Sequence, residues 1–180
     1  NFVLSQDTSI SIEKYIKQNG GTVYRSKVGE ANVAAKMVET KSQVGGEGSS
    51  GGFILSDFNY CRDGILTSGL IASIIKKEKF TDALNFMEKY HIIRDKVEYD
   101  SEQHDKILKV LHDRMKEKFG DVDTLDGLKV IIDEDSWVLI RKSNTENAIR
   151  ISTESNSLEK VTNIDQEIKD LVKESYEQIK

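Results

Sequence analysis

Short apolar runs alternate with amphipathic stretches along the first half of the chain. Ile10, Ile12, Tyr15 and Ile16 fall near helical spacing, and Asn19-Gly20-Gly21 is a stop signal for the helix they predict. Thr22-Val23-Tyr24-Arg25 reads as a short strand, and Val33, Ala34, Met37 and Val38 stripe a second amphipathic helix. A glycine-serine run over residues 45–52 precedes the apolar stretch Phe53-Ile54-Leu55. A third helix is expected over residues 65–77, with Leu66, Leu70, Ile71 and Ile74 turned inward. Strands alternating with helices of this length predict a layered α/β unit with a mainly parallel sheet.

The second half has a different pattern. A strand is expected over residues 90–99, followed by a long helix striped by Ile107, Leu108, Leu111, Met115 and Phe119. Leu128-Lys129-Val130-Ile131-Ile132 and Trp137-Val138-Leu139-Ile140 read as strands joined by the polar turn Asp133-Glu134-Asp135-Ser136. Residues 148–153 alternate polar and apolar, as a half-exposed strand does. A last helix carries Ile168, Leu171, Val172, Tyr176 and Ile179. This predicts an α+β domain with an antiparallel sheet and its helices on one face. The boundary is expected near residues 90–95, giving domains over 1–92 and 93–180.

Composition narrows the function classes. With 37% hydrophobic and 32% charged residues in 180, the chain can build a core, yet no window approaches the roughly 20 apolar residues of a membrane span. The opening Asn1-Phe2-Val3-Leu4-Ser5 has no basic segment and no long apolar run, so a secretory signal is not expected. The missing initiator Met suggests a piece of something longer. One cysteine, Cys61, excludes an internal disulfide and a multi-cysteine zinc site, in keeping with a cytoplasmic location; it is expected as a small buried or semi-exposed thiol. A net charge of −5 argues against a nucleic-acid module, which would carry a basic face. His91, His104 and His112 lack metal-ligand spacing and are expected as solvated or strand-end residues.

Three segments remain as candidates for chemistry. In Gly45-Gly46-Glu47-Gly48-Ser49-Ser50-Gly51-Gly52 the glycines permit close backbone approach, while Glu47 and Ser49 offer an acceptor and a hydroxyl to a ligand rich in OH groups. A flexible surface linker has the same composition. The run lacks the Lys-Ser/Thr ending of a P-loop and the Gly-x-Gly-x-x-Gly dinucleotide pattern. In Arg141-Lys142-Ser143-Asn144-Thr145-Glu146-Asn147-Ala148-Ile149-Arg150 a strand ends, a polar turn follows, and the next strand carries Arg150. Two guanidinium groups, two hydroxyls and the turn amides could converge on one anion-sized space. An ordinary hairpin whose arginines pair with neighbouring acids fits equally. In Arg25-Ser26-Lys27-Val28-Gly29-Glu30 a strand end meets a helix start, where amides favour an anion and Lys27 could reach a ligand; helix capping beside a solvated lysine explains the same residues.

Together, in this order and spacing, the segments resemble the α-D-phosphohexomutase superfamily of phosphoglucomutases, phosphomannomutases and phosphoglucosamine mutases. Residues 45–52 followed by Arg62-Asp63-Gly64-Ile65 resemble its sugar-recognition loop in an archaeal-type form. Lys27-Val28-Gly29-Glu30 resembles the active-site turn of its third domain, and residues 141–146 with Arg150 resemble its phosphate loop, led in by Asp126-Gly127-Leu128-Lys129-Val130. The resemblance covers nearly the whole chain and implies the third domain plus a TATA-binding-protein-like fourth domain. It implies that Gly46, Glu47 and Ser49 hold sugar hydroxyls and that Lys27 contacts substrate. Arg141, Ser143, Asn144, Thr145 and Arg150 would grip the phosphate that does not react. The one acid/base candidate is Glu30, which stands where other members carry His or Asp; otherwise no catalytic residue is implied in this chain. The complete enzyme would interconvert hexose 1- and 6-phosphates through a bisphosphorylated intermediate. It would use Mg²⁺ and a phosphorylated serine on N-terminal domains missing here, neither held by this chain. A non-catalytic phosphosugar-binding module or a regulatory paralogue is the alternative. Lys142 and Asn147 replace the two prolines usual in the phosphate loop, removing two φ locks.

Overall fold

The computed structural model describes all residues except 49–51, 77–78, 80, 82–83, 86 and 144–145. The chain divides into two compact units, Asn1–Lys89 and Tyr90–Lys180.

The first unit has a four-stranded mixed sheet in the order β2-β1-β3-β4. Strands β1 (Phe2–Ser5), β2 (Val23–Ser26) and β3 (Val44–Glu47) run parallel, and β4 (Gly52–Leu55) returns antiparallel. Helix α1 (Ile10–Gln18) is capped by Ser9, whose hydroxyl accepts from the Ser11 amide, and buries Ile16. Helix α2 (Glu30–Thr40) packs Val33 and Met37 against Val3 and Ile54. Val38, expected inward, is 61% exposed. Its place one residue beyond Met37 turns it off the buried stripe.

Two departures from expectation reflect burial rather than propensity. The glycine-rich run is not all loop: Val44–Glu47 is a strand, paired on both edges. Gly45 is small there because α2 lies directly over it; a Cβ would strike the Met37 sulfur and stand 2.9 Å from Val33 Cγ1. Helix α3 (Gly64–Ile75) forms as expected, with Asp63 capping the Leu66 amide at 2.7 Å, but none of its residues is buried. Leu70, Ile71 and Ile74 are exposed, and Ile65 is 89% exposed. The helix is apolar on all sides, so its sequence marks no single inward face.

The second unit is an antiparallel sheet in the order β5-β8-β7-β6, formed by β5 (His91–Glu98), β6 (Leu128–Asp133), β7 (Ser136–Lys142) and β8 (Ala148–Ser155). Helices α4 (Ser101–Phe119) and α5 (Leu158–Ile179) cover one face. Ile107, Leu111 and Met115 of α4 and Ile164, Ile168 and Val172 of α5 join Val130, Val138, Ile140, Ile149 and Ile151 in one core. Strand β8, expected half-exposed, lies inside the sheet and is largely buried. Two of its buried polar side chains have partners there: Ser155 meets the Ser136 hydroxyl at 3.0 Å and Glu154 accepts from the Trp137 indole, while Thr153 Oγ1 is buried without a hydrogen bond among the described residues. His104 is buried rather than solvated, its Nε2 2.8 Å from the Tyr99 carbonyl. Cys61 is exposed.

Candidate functional site

In the first unit the carboxyl ends of β1, β2 and β3 lie side by side, the edge at which open α/β sheets bind ligands. Glu47 closes β3 with its side chain 1% exposed. Its carboxylate accepts from Arg62 Nη1 at 3.3 Å, and Arg62 Nε donates to Glu30 Oε2 at 2.6 Å. That second bond is the chief reason the Glu30 carboxyl sits below its usual range and the Arg62 guanidinium above its own.

A knot of buried polar groups at the end of β1 holds the strand that carries Glu47. Ser5 Oγ donates to Asp7 Oδ1 at 2.7 Å, lies 2.9 Å from Thr8 Oγ1, and accepts from the Gly48 amide at 2.9 Å. Thr8 Oγ1 stands 3.4 Å from the Gly46 carbonyl. Gly46, Glu47 and Gly48 are therefore anchored from both directions along β3. Arg25, by contrast, is committed to structure: it pairs with Glu13 and donates to the carbonyls of Ser5 and Thr8 at 2.8 and 3.0 Å. Lys27 is exposed just beyond β2, and Gly29 at the start of α2 offers no side-chain cap to the first-turn amides. Ser49 lies outside the described residues.

In the second unit the β7–β8 register places Arg141 directly across from Arg150, and the β5–β8 register places Lys96 across from Arg150 on its other side. Ile140, Ile149 and Ile151 face the helices, so alternation puts all three cations in one row on the opposite face. Beyond Lys142 the turn is organised by Ser143. Its amide donates to the Ala148 carbonyl at 2.9 Å, and its hydroxyl lies 3.2 Å from both the Glu146 amide and Arg150 Nε. Arg150 Nη2 reaches Glu146 Oε1 at 3.1 Å, while Lys96 Nζ reaches Glu146 Oε2 at 3.0 Å. Glu146 is thereby held below the usual carboxylate range, chiefly by the Lys96 hydrogen bond. Lys142 pairs with Asp105 at 2.6 Å instead of facing the cation row. Asn144 and Thr145 lie outside the described residues.

Gly46 and Glu47 are thus brought together in the first unit, joined to Glu30 through Arg62, with Lys27 at a neighbouring strand end. Arg141, Ser143 and Arg150 are brought together in the second. Residues 5–8 and Lys96 are not among the expected site residues, and Arg62, part of the resemblance to the sugar-recognition loop, carries no expected partner; a bare Ser-Gln-Asp-Thr after an apolar run and a single Arg before Asp63 carry no local signature of the partners they acquire. Among the described residues no three His, Cys, Asp or Glu side chains are grouped to hold a metal ion.

Known proteins resemble this chain over nearly its whole length. Residues 1–90 match the family model described as phosphoglucomutase/phosphomannomutase alpha/beta/alpha domain III, and residues 93–171 match that of the phosphoglucomutase/phosphomannomutase C-terminal domain. A probable phosphoglucosamine mutase of Methanopyrus kandleri is 34% identical over 97% of this chain and 38% of its own length. A phosphoglucomutase/phosphomannomutase of Thermococcus kodakarensis is 38% identical over 85% of this chain and 33% of its own. The chain therefore spans little more than a third of the relatives it matches. A crystal structure of a family protein from Burkholderia thailandensis shares the fold, with a TM-score of 0.79 and 24% identity over 97% of this chain and 37% of that one. The chain belongs to the phosphoglucomutase/phosphomannomutase family, the phosphohexomutases, and comprises its third and C-terminal domains.

Proposed function

We propose that the chain is the substrate-recognition portion of a phosphohexomutase, an enzyme that interconverts hexose 1-phosphate and hexose 6-phosphate through a bisphosphorylated intermediate. The first unit recognises sugar hydroxyls and the second binds the phosphate that does not react; these are the two chemistries of a hexose phosphate. Glu47, held at the carboxyl edge of the sheet, accepts hydrogen bonds from hydroxyls, with Gly46 giving close approach and Ser49 and Lys27 adding donors. Arg141 and Arg150 hold phosphate oxygens, helped by the Ser143 hydroxyl and by Asn144 and Thr145, which follow it in sequence. Arginine suits this role because its planar fork matches phosphate geometry.

The observation that carries the reading is the pairing of Arg141 with Arg150 across one register position, beside a turn built on Ser143. Two guanidinium groups on adjacent strands of one face repel unless an anion lies near them. Glu146 meets that need in part, and a dianionic phosphate meets it more fully. Calorimetric titration with glucose 1-phosphate tests the assignment. Arg141→Ala should weaken binding by about 2 kcal/mol, the scale of one charge-assisted contact; unchanged affinity refutes the role.

A further inference from the structure

We propose that Arg62 is a positioning residue for Glu47, and through it governs sugar recognition; the inference rests on the phosphohexomutase reading above. Arg62 precedes Asp63, the cap of α3, and lies outside the three segments whose pattern suggested chemistry. Its guanidinium nevertheless binds the carboxylate that closes β3 and the one that opens α2, using Nη1 for Glu47 and Nε for Glu30. A carboxylate as enclosed as Glu47 is costly to leave ionised alone, and a partner cation offsets that cost. Only an ionised carboxylate is purely an acceptor, the form that matches ligand hydroxyl donors. The rigid guanidinium, with Nε on Glu30 and Nη1 on Glu47, also fixes the position of one carboxylate relative to the other, which a lysine ammonium does not.

The neighbourhood is built around this side chain. A Cβ at position 52 would collide with Cγ and Cδ of Arg62 and stand 3.3 Å from its Cβ, so the arginine stem lies in space that only glycine leaves open. Beside it opens a cavity of about 530 Å³ lined by Glu30, Phe53, Arg62, Thr67 and Ser68. Gly52 and Arg62 thus form one device: the glycine seats the arginine and the arginine orients Glu47.

The test is calorimetry on the whole chain with two probes, glucose 1-phosphate and inorganic phosphate, with amide spectra confirming the fold of each variant. Arg62→Gln should weaken glucose 1-phosphate about tenfold while leaving inorganic phosphate unchanged, the loss of one charge-assisted interaction. Arg62→Lys, which keeps the charge without the fork, should recover part of that loss. Gly52→Ala should reproduce the Arg62→Gln pattern by displacing the side chain. Glucose 1-phosphate affinity unchanged in both Arg62→Gln and Gly52→Ala overturns the inference, as does equal loss for both probes. Absence of glucose 1-phosphate binding in the parent chain overturns the phosphohexomutase reading itself, and this inference with it.

Discussion

In the proposed reading, Glu146 sets how available the cation row of the second unit is to an incoming anion. Its two oxygens are divided between Lys96 and Arg150, so any phosphate drawn to Arg150 meets a carboxylate already there. Glu146→Gln removes that competing charge while keeping the side chain's length. Affinity for inorganic phosphate should rise about threefold, an effect of the size of one partly exposed charge interaction; an unchanged or lower affinity would show that Glu146 supports the site instead. At this scale the sequence was informative where partners are close along the chain. Arg141, Ser143 and Arg150 belong to one hairpin, and hairpin geometry brings them together without further knowledge. Lys96 and Arg62 meet their partners across strands and helices distant in sequence, and no local pattern records such a meeting. The buried polar knot of Ser5, Asp7 and Thr8 was hidden for the same reason, since its meaning lies in Gly46 and Gly48.

The elements were legible in proportion to their amphipathicity. Helices α1, α2, α4 and α5 each bury one face, and period alone identifies them; β7 and β8 are buried along most of their length, so alternation is not what marks them. Strand β1 is only Phe2–Ser5, too short to show alternation, although it is an inner strand of its sheet. Strand β3 was masked by glycines that are there for packing. Gly45→Ala should destabilise the first unit by about 1–3 kcal/mol, the cost of overpacking a closed contact, because Met37 and Val33 leave no room for a methyl group. Denaturant unfolding followed by far-ultraviolet dichroism measures it, and a neutral substitution would contradict the packing account.

In the second unit α5 is tied to β5 by Lys169, which bonds Asp95 at 2.8 Å and Asp165 at 2.9 Å. The Asp95 carboxyl is held below its usual range, chiefly by the Lys169 hydrogen bond. A carboxyl depressed in the folded state contributes stability above its unfolded value, and that contribution is lost as pH falls through the folded value. Thermal unfolding of the second unit should therefore shift to lower temperature as pH drops below about 4, the unfolded value of an aspartate. Lys169→Met should flatten that dependence. At neutral pH it should cost about 2 kcal/mol, since Asp165, with its side chain 5% exposed, loses its cation. A variant as stable and as acid-sensitive as the parent would remove Lys169 from the account.

At the scale of the molecule, the proposed division of labour rests on the groups each unit presents. The first has buried carboxylates and hydroxyl-bearing strand ends; the second has a row of cations beside a turn. Neither, among the described residues, gathers a metal-binding cluster. The prediction at this scale is that the 180-residue chain shows no mutase turnover with Mg²⁺ and a hexose bisphosphate present, although it binds hexose phosphate; measurable turnover in a coupled assay would contradict a role limited to recognition. The central claim is that a phosphate lies between Arg141 and Arg150. Titrating isotopically labelled chain with inorganic phosphate, and following the guanidinium Nε–H signals by ¹⁵N–¹H spectroscopy, addresses it most directly. The account predicts saturable shifts of both arginine signals together with the Ser143 amide; shifts confined to other residues, or none at phosphate concentrations that saturate calorimetric binding, would contradict it.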